Sequence, residues 1–306
     1  MSRRAIALLV LSLLLAACSS LAPQGEPQAT KPGTGTGPEV TKDIDAYMQQ
    51  RMRVESVGFR LRQAAATRCS ATGATRKDLG LVVWSLANFP NQADRTRLER
   101  LYKLTDAVTV ALAIETGPAR KAGLRPGTVI THVDGIELPV GPGATARFIA
   151  LSNEASSRGD VTLRLSGGAE LRIRPEPICS SPVLLVRSED MNAATDGKAV
   201  AMTTGLYGLL RSDDEIAVVL GHELAHILLG HSRSGASADP SRETDADRAG
   251  LELAARAGFD IAAAPALWSR LNNALLAPGL ATTHPTGPER EAAIRKAVDE
   301  IRRSRP

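Results

Sequence analysis

Residues 219–232 read VLGHELAHILLGHS, and this stretch decides the character of the chain. His222 and His226 stand at i and i+4, the spacing that places two side chains on one face of a helix. Glu223 follows the first histidine, giving the H-E-x-x-H pattern in which two imidazoles bind a metal ion and a carboxylate takes a proton. A helical histidine pair without a metal is the alternative. The stretch therefore predicts half of a catalytic zinc site.

The residues around this stretch predict a well-defined helix. Ser212 and Glu215 have the spacing of a capping box, and Gly230 is a natural helix stop. A third histidine, His231, is one residue away from the position that H-E-x-x-H-x-x-G-x-x-H enzymes use for a third metal ligand. We therefore expect His231 at the surface near the helix end, where its charge suits the helix dipole.

A catalytic zinc ion needs a third protein ligand and an open fourth position. Downstream, Glu243 and Asp247 are again at i and i+4, so they share one face of a second helix. Glu243 can bind the metal, and Asp247 can accept a hydrogen bond from a ligand histidine. An acidic helix start that only suits the dipole is the alternative. With the first helix in place, the pattern predicts one zinc ion per chain, bound by His222, His226 and Glu243.

Several motifs occur in an order that resembles the HtpX/CAAX-prenyl-protease family of zinc metallopeptidases. They are M-N-A at 191–193 followed by G-L at 205–206, G-H-E-L-A-H at 221–226, E-x-x-A-D at 243–247, and T-H-P at 283–285 with Arg290 beyond it. The resemblance is close over residues 180–300 and loose over 40–100. It implies an α+β fold with a mainly helical gluzincin domain and a small β-sheet. It also implies that Glu223 is the catalytic base and that Asp247 supports a zinc ligand.

His284 precedes Pro285, which restricts its backbone to extended conformations, so we expect it on a loop. The resemblance implies an active-site role. His284 then either donates a hydrogen bond to the tetrahedral oxyanion or serves as a fourth zinc ligand that must move away. A loop-packing histidine is the third possibility. Arg290 is expected to hold this loop through a carboxylate or to be a surface charge.

The peptidase part is predicted to contain one β segment before its catalytic helices. Within it, residues 199–203 are predicted to form an edge strand to which an extended polypeptide substrate adds as a further strand. The candidate substrate contacts are Asn192, Ala201 and Thr203.

Residues 105–176 alternate strands with glycine-rich turns and resemble a PDZ domain of the bacterial, protease-associated kind. The matching residues include Gly117-Pro118-Ala119, Ala122-Gly123-Leu124 and Val133-Asp134-Gly135. The domain is predicted to interrupt the peptidase domain and to bind peptide ends. It then either feeds chain ends to the cleft or blocks the cleft. The predicted domains are residues 42–100 and 177–306 for the peptidase and 101–176 for the insertion. An unclassified β-rich insertion is the alternative.

The first 17 residues predict export. Two arginines precede a short apolar stretch that is too short to span a bilayer as a mature helix. Leu-Ala-Ala-Cys at 15–18 resembles a bacterial lipobox, in which Cys18 is acylated after removal of residues 1–17. Residues 18–41 then form a flexible tether, and the protein is held by a lipid anchor in the bacterial cell envelope, at the outer membrane and facing the periplasm. Ordinary secretory cleavage, with Cys18 incidental, is the alternative.

Cys69 and Cys179 are the cysteines that remain after Cys18. Because an exported compartment is oxidising, they are predicted to form a disulfide rather than two buried thiols. The formal net charge of +4 falls to +2 without Arg3 and Arg4, the basic residues are scattered, and aromatic residues are 3% of the chain. These features argue against nucleic-acid binding.

Taken together, the sequence predicts a zinc-dependent metalloendopeptidase that acts on misfolded or unassembled envelope proteins. The alternative is a PDZ-containing chaperone or adaptor whose zinc site is structural or latent. The H-E-x-x-H pattern combined with Glu243 favours the enzyme, because structural zinc sites usually have four protein ligands.

Overall fold

The computed structural model describes residues 43–231, 239–275 and 287–304. Cys18, His284, the predicted signal peptide and the predicted tether lie outside these residues, so what the sequence predicts for them stays a prediction. Among the helices within the described ranges, none combines the length and the apolar character needed to cross a membrane.

The described residues form an α+β structure, as the sequence predicts. The helices are α1 (Ile44–Ala64), α2 (Ala66–Ser70), α3 (Gln92–Tyr102), α4 (Pro118–Lys121), α5 (Ala144–Arg158), α6 (Thr204–Tyr207), α7 (Asp213–Leu228), α8 (Pro240–Arg256), α9 (Ala264–Leu275) and α10 (Pro288–Ser304). The strands are β1 (Thr75–Asp78), β2 (Leu81–Trp84), β3 (Val108–Ala113), β4 (Val129–Val133), β5 (Ile136–Glu137), β6 (Val161–Leu165), β7 (Glu170–Ile173), β8 (Glu176–Cys179), β9 (Val183–Val186), β10 (Ala193–Thr195) and β11 (Val200–Thr203).

Helix α1 runs through the core of the peptidase part. Asp43 caps its N-terminus by accepting the N–H of Asp45 at 2.9 Å. Its apolar stripe is buried at Val54, Val57 and Leu61, which belong to the same core cluster as residues of α7, α8 and β9. The helix thus ties the N-terminal segment to the helices that carry the candidate ligands.

A three-stranded sheet lies beside this core, and its strand order is β10-β11-β9. Strand β11 pairs antiparallel with β10 and parallel with β9, so both of its sides are occupied. The predicted edge strand at 199–203 is therefore wrong, and Ala201 and Thr203 lie on the central strand. The sequence identified the segment as a strand but not its neighbours, because pairing partners are set by tertiary structure. The edge facing away from β11 belongs to β10, which Asn192 directly precedes.

The β-rich insertion is present and forms a separate sheet of order β2-β3-β4-β6-β7, with β5 paired to β4. Helix α5 contributes Phe148, Leu151 and Ala155 to the apolar core of this sheet. Asp134 and Gly135 have φ angles of 48° and 78°, as a tight hairpin between β4 and β5 requires. The sheet begins at Leu81, well before the predicted boundary at residue 101, because β2 pairs with β3. Residues 81–173 are called the insert below.

The two chain ends of the insert are joined at a neck. Strand β1, which precedes the insert, pairs antiparallel with β8, which follows it. Cys69 and Cys179 form a disulfide across the same junction, with their Cα atoms 5.4 Å apart. The predicted disulfide is therefore present, and it closes the chain on both sides of the insert.

Candidate metal centre

Helix α7 carries the H-E-x-x-H pattern, and its ends are set by local chemistry. The Ser212 hydroxyl accepts the N–H of Glu215 at 3.2 Å and caps the N-terminus. The Glu215 carboxylate accepts the N–H of Arg211 at 2.7 Å and pairs with Arg270 at 2.7 Å. The helix is capped as predicted. The Glu215 carboxylate, however, accepts the N–H of Arg211 and not that of Ser212, the partner that a capping box predicts. Beyond the last turn, Gly230 has φ = +73° and ends the helix as expected.

Helices α7 and α8 touch backbone to backbone where they cross. A Cβ atom on Gly250 of α8 would lie 2.7 Å from the backbone N of His222, and one on Gly221 would lie 2.8 Å from the carbonyl oxygen of Gly250. Glycine at both positions therefore lets the two helices approach closely. This approach brings the acidic face of α8 up to the histidine face of α7.

Three predicted ligands converge at this crossing. His222 Nε2 and His226 Nε2 are 3.0 Å apart, and each lies 3.5 Å from an oxygen of Glu243. All three side chains are buried, with at most 8% of each residue exposed. These residues are the group of potential metal ligands found among the described residues, and their donor atoms lie within 4.8 Å of one another.

The donor set fits a zinc ion. In a tetrahedral site with Zn–N and Zn–O bonds of about 2.0–2.1 Å, neighbouring donor atoms are about 3.3 Å apart. The observed separations of 3.0 and 3.5 Å lie on either side of this value. Two imidazoles and one carboxylate also match the composition of catalytic zinc sites, which leave one position for water or substrate.

Asp247 supports the ligand His222 from behind. Its Oδ1 atom lies 2.9 Å from His222 Nδ1, the nitrogen that faces away from the other ligands. Arg290 of α10 donates to both oxygens of Asp247, at 2.7 and 2.8 Å, and approaches Glu243 at 3.3 Å. Of the two roles considered for Arg290, the carboxylate pair is the one observed. The predicted support for the metal ligands is in place.

Opposing effects act on the pKa values of this cluster. Burial works to lower the pKa of His222, but hydrogen bonds to Asp247 and Glu243 and the charge of Glu223 outweigh it and raise the pKa to about 9. Burial works to raise the pKa of Asp247, but its contacts with His222 and Arg290 hold that pKa below its ordinary value. Because a ligand histidine binds metal in its neutral form, protons and metal compete for the same imidazole nitrogen.

Glu223 lies next to His222 on α7 and is 3% exposed. A buried carboxylate one residue from a zinc ligand has the position that a proton-transferring group needs in an H-E-x-x-H site. Its negative charge is one of the causes that raise the pKa of His222. The structure thus gathers Glu223, the three ligands, Asp247 and Arg290 into one buried centre.

Two residues of this centre were not predicted. His231 lies against His226, with the two Nδ1 atoms 3.1 Å apart, rather than standing free at the helix end. Trp268 of α9 packs edge-on against His222, with ring centroids 5.7 Å apart, and Arg290 stacks over the same indole at 4.2 Å. The turn at Gly230 could have suggested the first contact, whereas no local motif marks Trp268.

Strand β10 packs against α7, the helix that carries His222 and His226, and it lies at an edge of its three-stranded sheet. Asn192 stands at its start, and the hydroxyl of Thr203 accepts the N–H of Asn192 at 3.0 Å. Thr203, at the end of β11, thus holds the backbone of Asn192 at the point where β10 begins. Among the described residues, the outer edge of this sheet on the β10 side is formed by Ala193–Thr195.

The insert contains a groove of about 210 Å³ between β2 and α5. Strand β2 is at the edge of its sheet, and its residues Leu81 to Val83 line one side of the groove. Phe148, Ile149 and Ser152 of α5 line the other side. Arg51 of α1 and residues 76–79 at β1 also line the groove, so it is bounded by the insert and by the peptidase part together.

Residues 169–240 and 238–298 match the family model of peptidase family M48. These residues form an M48 peptidase domain. Peptidases of family M48 are zinc-dependent. Every side chain of the candidate metal centre lies in the matched segments, so the site belongs to a metallopeptidase domain. No curated protein matches the chain.

Solved structures similar to this chain include two that are named as PDZ domains. The HtrA3 PDZ domain bound to a phage-derived ligand (FGRWV) is 18% identical over 34% of this chain and 89% of that domain, with a TM-score of 0.25. A PDZ domain protein from Parabacteroides distasonis is 18% identical over 40% of this chain and 23% of its own, with a TM-score of 0.25. The HtrA-type protease AlgW with decapeptide is 24% identical over 34% and 29% of the two chains, with a TM-score of 0.23.

Proposed function

We propose that this chain is a zinc-dependent metalloendopeptidase that cleaves extended segments of cell-envelope proteins. The observation that carries the proposal is the convergence of His222, His226 and Glu243 beside the buried Glu223, inside the M48 segments. Bound to these three side chains, zinc would polarise the scissile carbonyl and lower the pKa of a water molecule.

Glu223 is the proposed general base. It takes a proton from the attacking water and later passes that proton to the leaving amine, so water is added across the C–N bond. Asp247 Oδ1 lies 2.9 Å from His222 Nδ1. In the proposal it accepts the proton of that nitrogen, which keeps the Nε2 lone pair directed at the metal. Arg290 holds Asp247 and Glu243 at the same time, which fixes a ligand and a ligand support together.

The outer edge of β10 is the proposed docking edge for substrate. An extended peptide that adds there makes main-chain hydrogen bonds, which do not depend on side-chain identity. Such an edge suits unfolded or unassembled polypeptides, since their backbone is available for pairing. The groove between β2 and α5 is a second candidate peptide site, because β2 is likewise an edge strand. In the proposal this groove holds chain ends while β10 presents the segment to be cut.

The proposed location is the bacterial cell envelope, at the outer membrane and facing the periplasm, with the lipid on Cys18 as the anchor. The disulfide between Cys69 and Cys179 supports an oxidising compartment. Metabolic labelling with a fatty-acid analogue tests the anchor: label is expected on the wild type and lost in Cys18→Ser. Equal labelling of both proteins would rule out this anchor.

Replacing Glu223 by Gln tests the proposed mechanism. The variant is expected to bind as much zinc as the wild type and to lose cleavage of an unfolded protein, such as reduced and carboxymethylated casein, by about 10²–10⁴-fold. Glu154→Gln makes the same chemical change on the exposed side of α5 and should leave the rate unchanged. Undiminished cleavage by Glu223→Gln, or wild-type cleavage that survives chelation, would contradict the mechanism.

His284 stays a predicted active-site residue, and a substitution separates its two proposed roles. If it donates a hydrogen bond to the oxyanion, His284→Ala should lose about 10²–10³-fold in kcat. If it is a fourth zinc ligand that must leave, the same variant should show higher activity. Unchanged kinetics would leave His284 with a loop-packing role.

A further inference from the structure

His231 contacts the ligand His226 on the side away from the metal. The two Nδ1 atoms are 3.1 Å apart, and the ring centroids are 5.2 Å apart at an interplanar angle of 64°. His226 Nε2 faces the opposite way, towards His222 Nε2 and Glu243. The His226 ring therefore has one nitrogen for the metal and one for His231.

This contact depends on how α7 ends. A continuing α-helix would turn residue 231 by about 140° from residue 226, since each residue adds about 100°. Gly230 instead adopts φ = +73°, a conformation that other residues rarely take, and the helix stops at Leu228. The chain then folds back so that His231 reaches the face carrying His226. The glycine that breaks the H-E-x-x-H-x-x-G-x-x-H pattern is the residue that makes the contact possible.

The positions of the protons follow from the metal chemistry. To bind zinc through Nε2, neutral His226 must carry its proton on Nδ1. That N–H is aimed at His231 Nδ1, which must then offer its lone pair and carry its own proton on Nε2. A hydrogen bond of this kind fixes both the tautomer and the orientation of a ligand ring.

We propose that His231 is a positioning residue that holds His226 in its metal-binding tautomer, an inference that rests on the proposed zinc function. The two ligand histidines are then supported differently. His222 Nδ1 lies 2.9 Å from a carboxylate oxygen of Asp247, whereas His226 Nδ1 faces an imidazole nitrogen of His231 at 3.1 Å. Because a carboxylate makes a ligand histidine more basic than an imidazole acceptor does, His226 is the weaker and more replaceable of the two ligands.

Zinc affinity of the full-length protein, measured by competition with a chromophoric chelator, tests the proposal. His231→Ala should weaken zinc binding by about 10–100-fold, the usual cost of losing such a partner. Cobalt substitution gives a second readout, because a reoriented His226 ring should shift the visible spectrum of the bound ion. His231→Asn keeps an acceptor and should recover most of the affinity. Leu229→Ala, an exposed change in the same turn, is the matched control and should bind zinc like the wild type.

Two results would overturn the proposal. One is a folded His231→Ala protein with wild-type zinc affinity and an unshifted cobalt spectrum. The other is complete loss of zinc, equal to that of His226→Ala, which would make His231 a ligand. Should His231→Ala not fold, Gly230→Ala provides the same comparison, since it strains the turn that delivers His231. A wild type that binds no zinc refutes the proposed function and this inference together, whereas unchanged affinity in the variant refutes the inference alone.

Discussion

The α7–α8 crossing and the insert use the same kinds of interaction with different consequences. At the crossing, Arg290 and Asp247 form an ion pair whose side chains are 10% and 5% exposed. Asp160 of the insert pairs with Arg172 and with Arg174 just beyond the insert, and the two arginine side chains are 77% and 85% exposed. Water screens the second set, so its contribution is small, whereas breaking the first leaves buried charge without compensation. Burial thus distinguishes an ion pair that stabilises the metal centre from an exposed pair that contributes little to stability.

Glycines show the same contrast. Gly250 lies against the backbone of α7, where there is no room for a Cβ atom. Gly167, in the turn between β6 and β7, has open space around the position of a Cβ atom. One glycine sets the distance between two helices, and the other sits in a turn at the surface. The comparison predicts that substitutions in the two regions differ in cost even when the chemical change is identical.

The disulfide closes the neck between the peptidase part and the insert, and its removal is expected to give the largest effect on stability. The Cys69→Ser, Cys179→Ser double variant should lose about 2–5 kcal/mol of unfolding free energy, because the bridge closes a long loop in the unfolded chain. Urea denaturation followed by circular dichroism measures the loss. An unchanged midpoint would show that the β1–β8 ladder holds the neck without the bridge.

Breaking the buried pair comes next. Arg290→Met should cost about 3 kcal/mol, since Asp247 keeps its charge and loses two hydrogen bonds. Zinc affinity should fall as well, because Arg290 also contacts Glu243. Arg172→Met is the matched change in the insert and should cost no more than about 0.5 kcal/mol. Equal losses in the two variants would remove the distinction drawn from burial.

The smallest of the three effects concerns the helix crossing. Gly250→Ala should cost about 1–3 kcal/mol, because the atoms it meets are backbone atoms of α7 that cannot rotate away. Gly167→Ala should change the unfolding free energy by less than about 0.5 kcal/mol. Thermal unfolding of both variants gives the comparison. A tolerated Gly250→Ala would mean that the helices can separate without loss.

The sequence predicted those parts of the molecule that depend on spacing within one helix. His222, Glu223 and His226 share a helix, and so do Glu243 and Asp247, so the period of the helix sufficed to group them. The period of a helix gives no information on which strands pair. The sequence therefore wrongly assigned β2 to the peptidase part and β11 to a sheet edge. A strand pattern reports burial and alternation, but its neighbours are chosen by segments far away in the chain.

The contacts of the residues around the metal ligands could not be predicted either, because they depend on how separate segments pack together. Arg290 was placed near the site by the family resemblance, yet its carboxylate partner could not be chosen until α8 and α10 were packed. His231 was assigned to the surface because it is one residue away from the position of a third metal ligand, and no spacing within the helix shows that the chain after Gly230 brings it to His226. Trp268 reaches His222 from α9, and a single tryptophan in an amphipathic helix carries no signal of that contact.

A crystal structure of the zinc-loaded protein, with anomalous data collected at the zinc edge, tests the central claim most directly. The account predicts one anomalous peak per chain, about 2.0–2.1 Å from His222 Nε2, His226 Nε2 and an oxygen of Glu243. His231 Nδ1 should remain within hydrogen-bonding distance of His226 Nδ1 and away from the metal. A peak bonded to His231 in place of Glu243, or no peak at the crossing of α7 and α8, would contradict it.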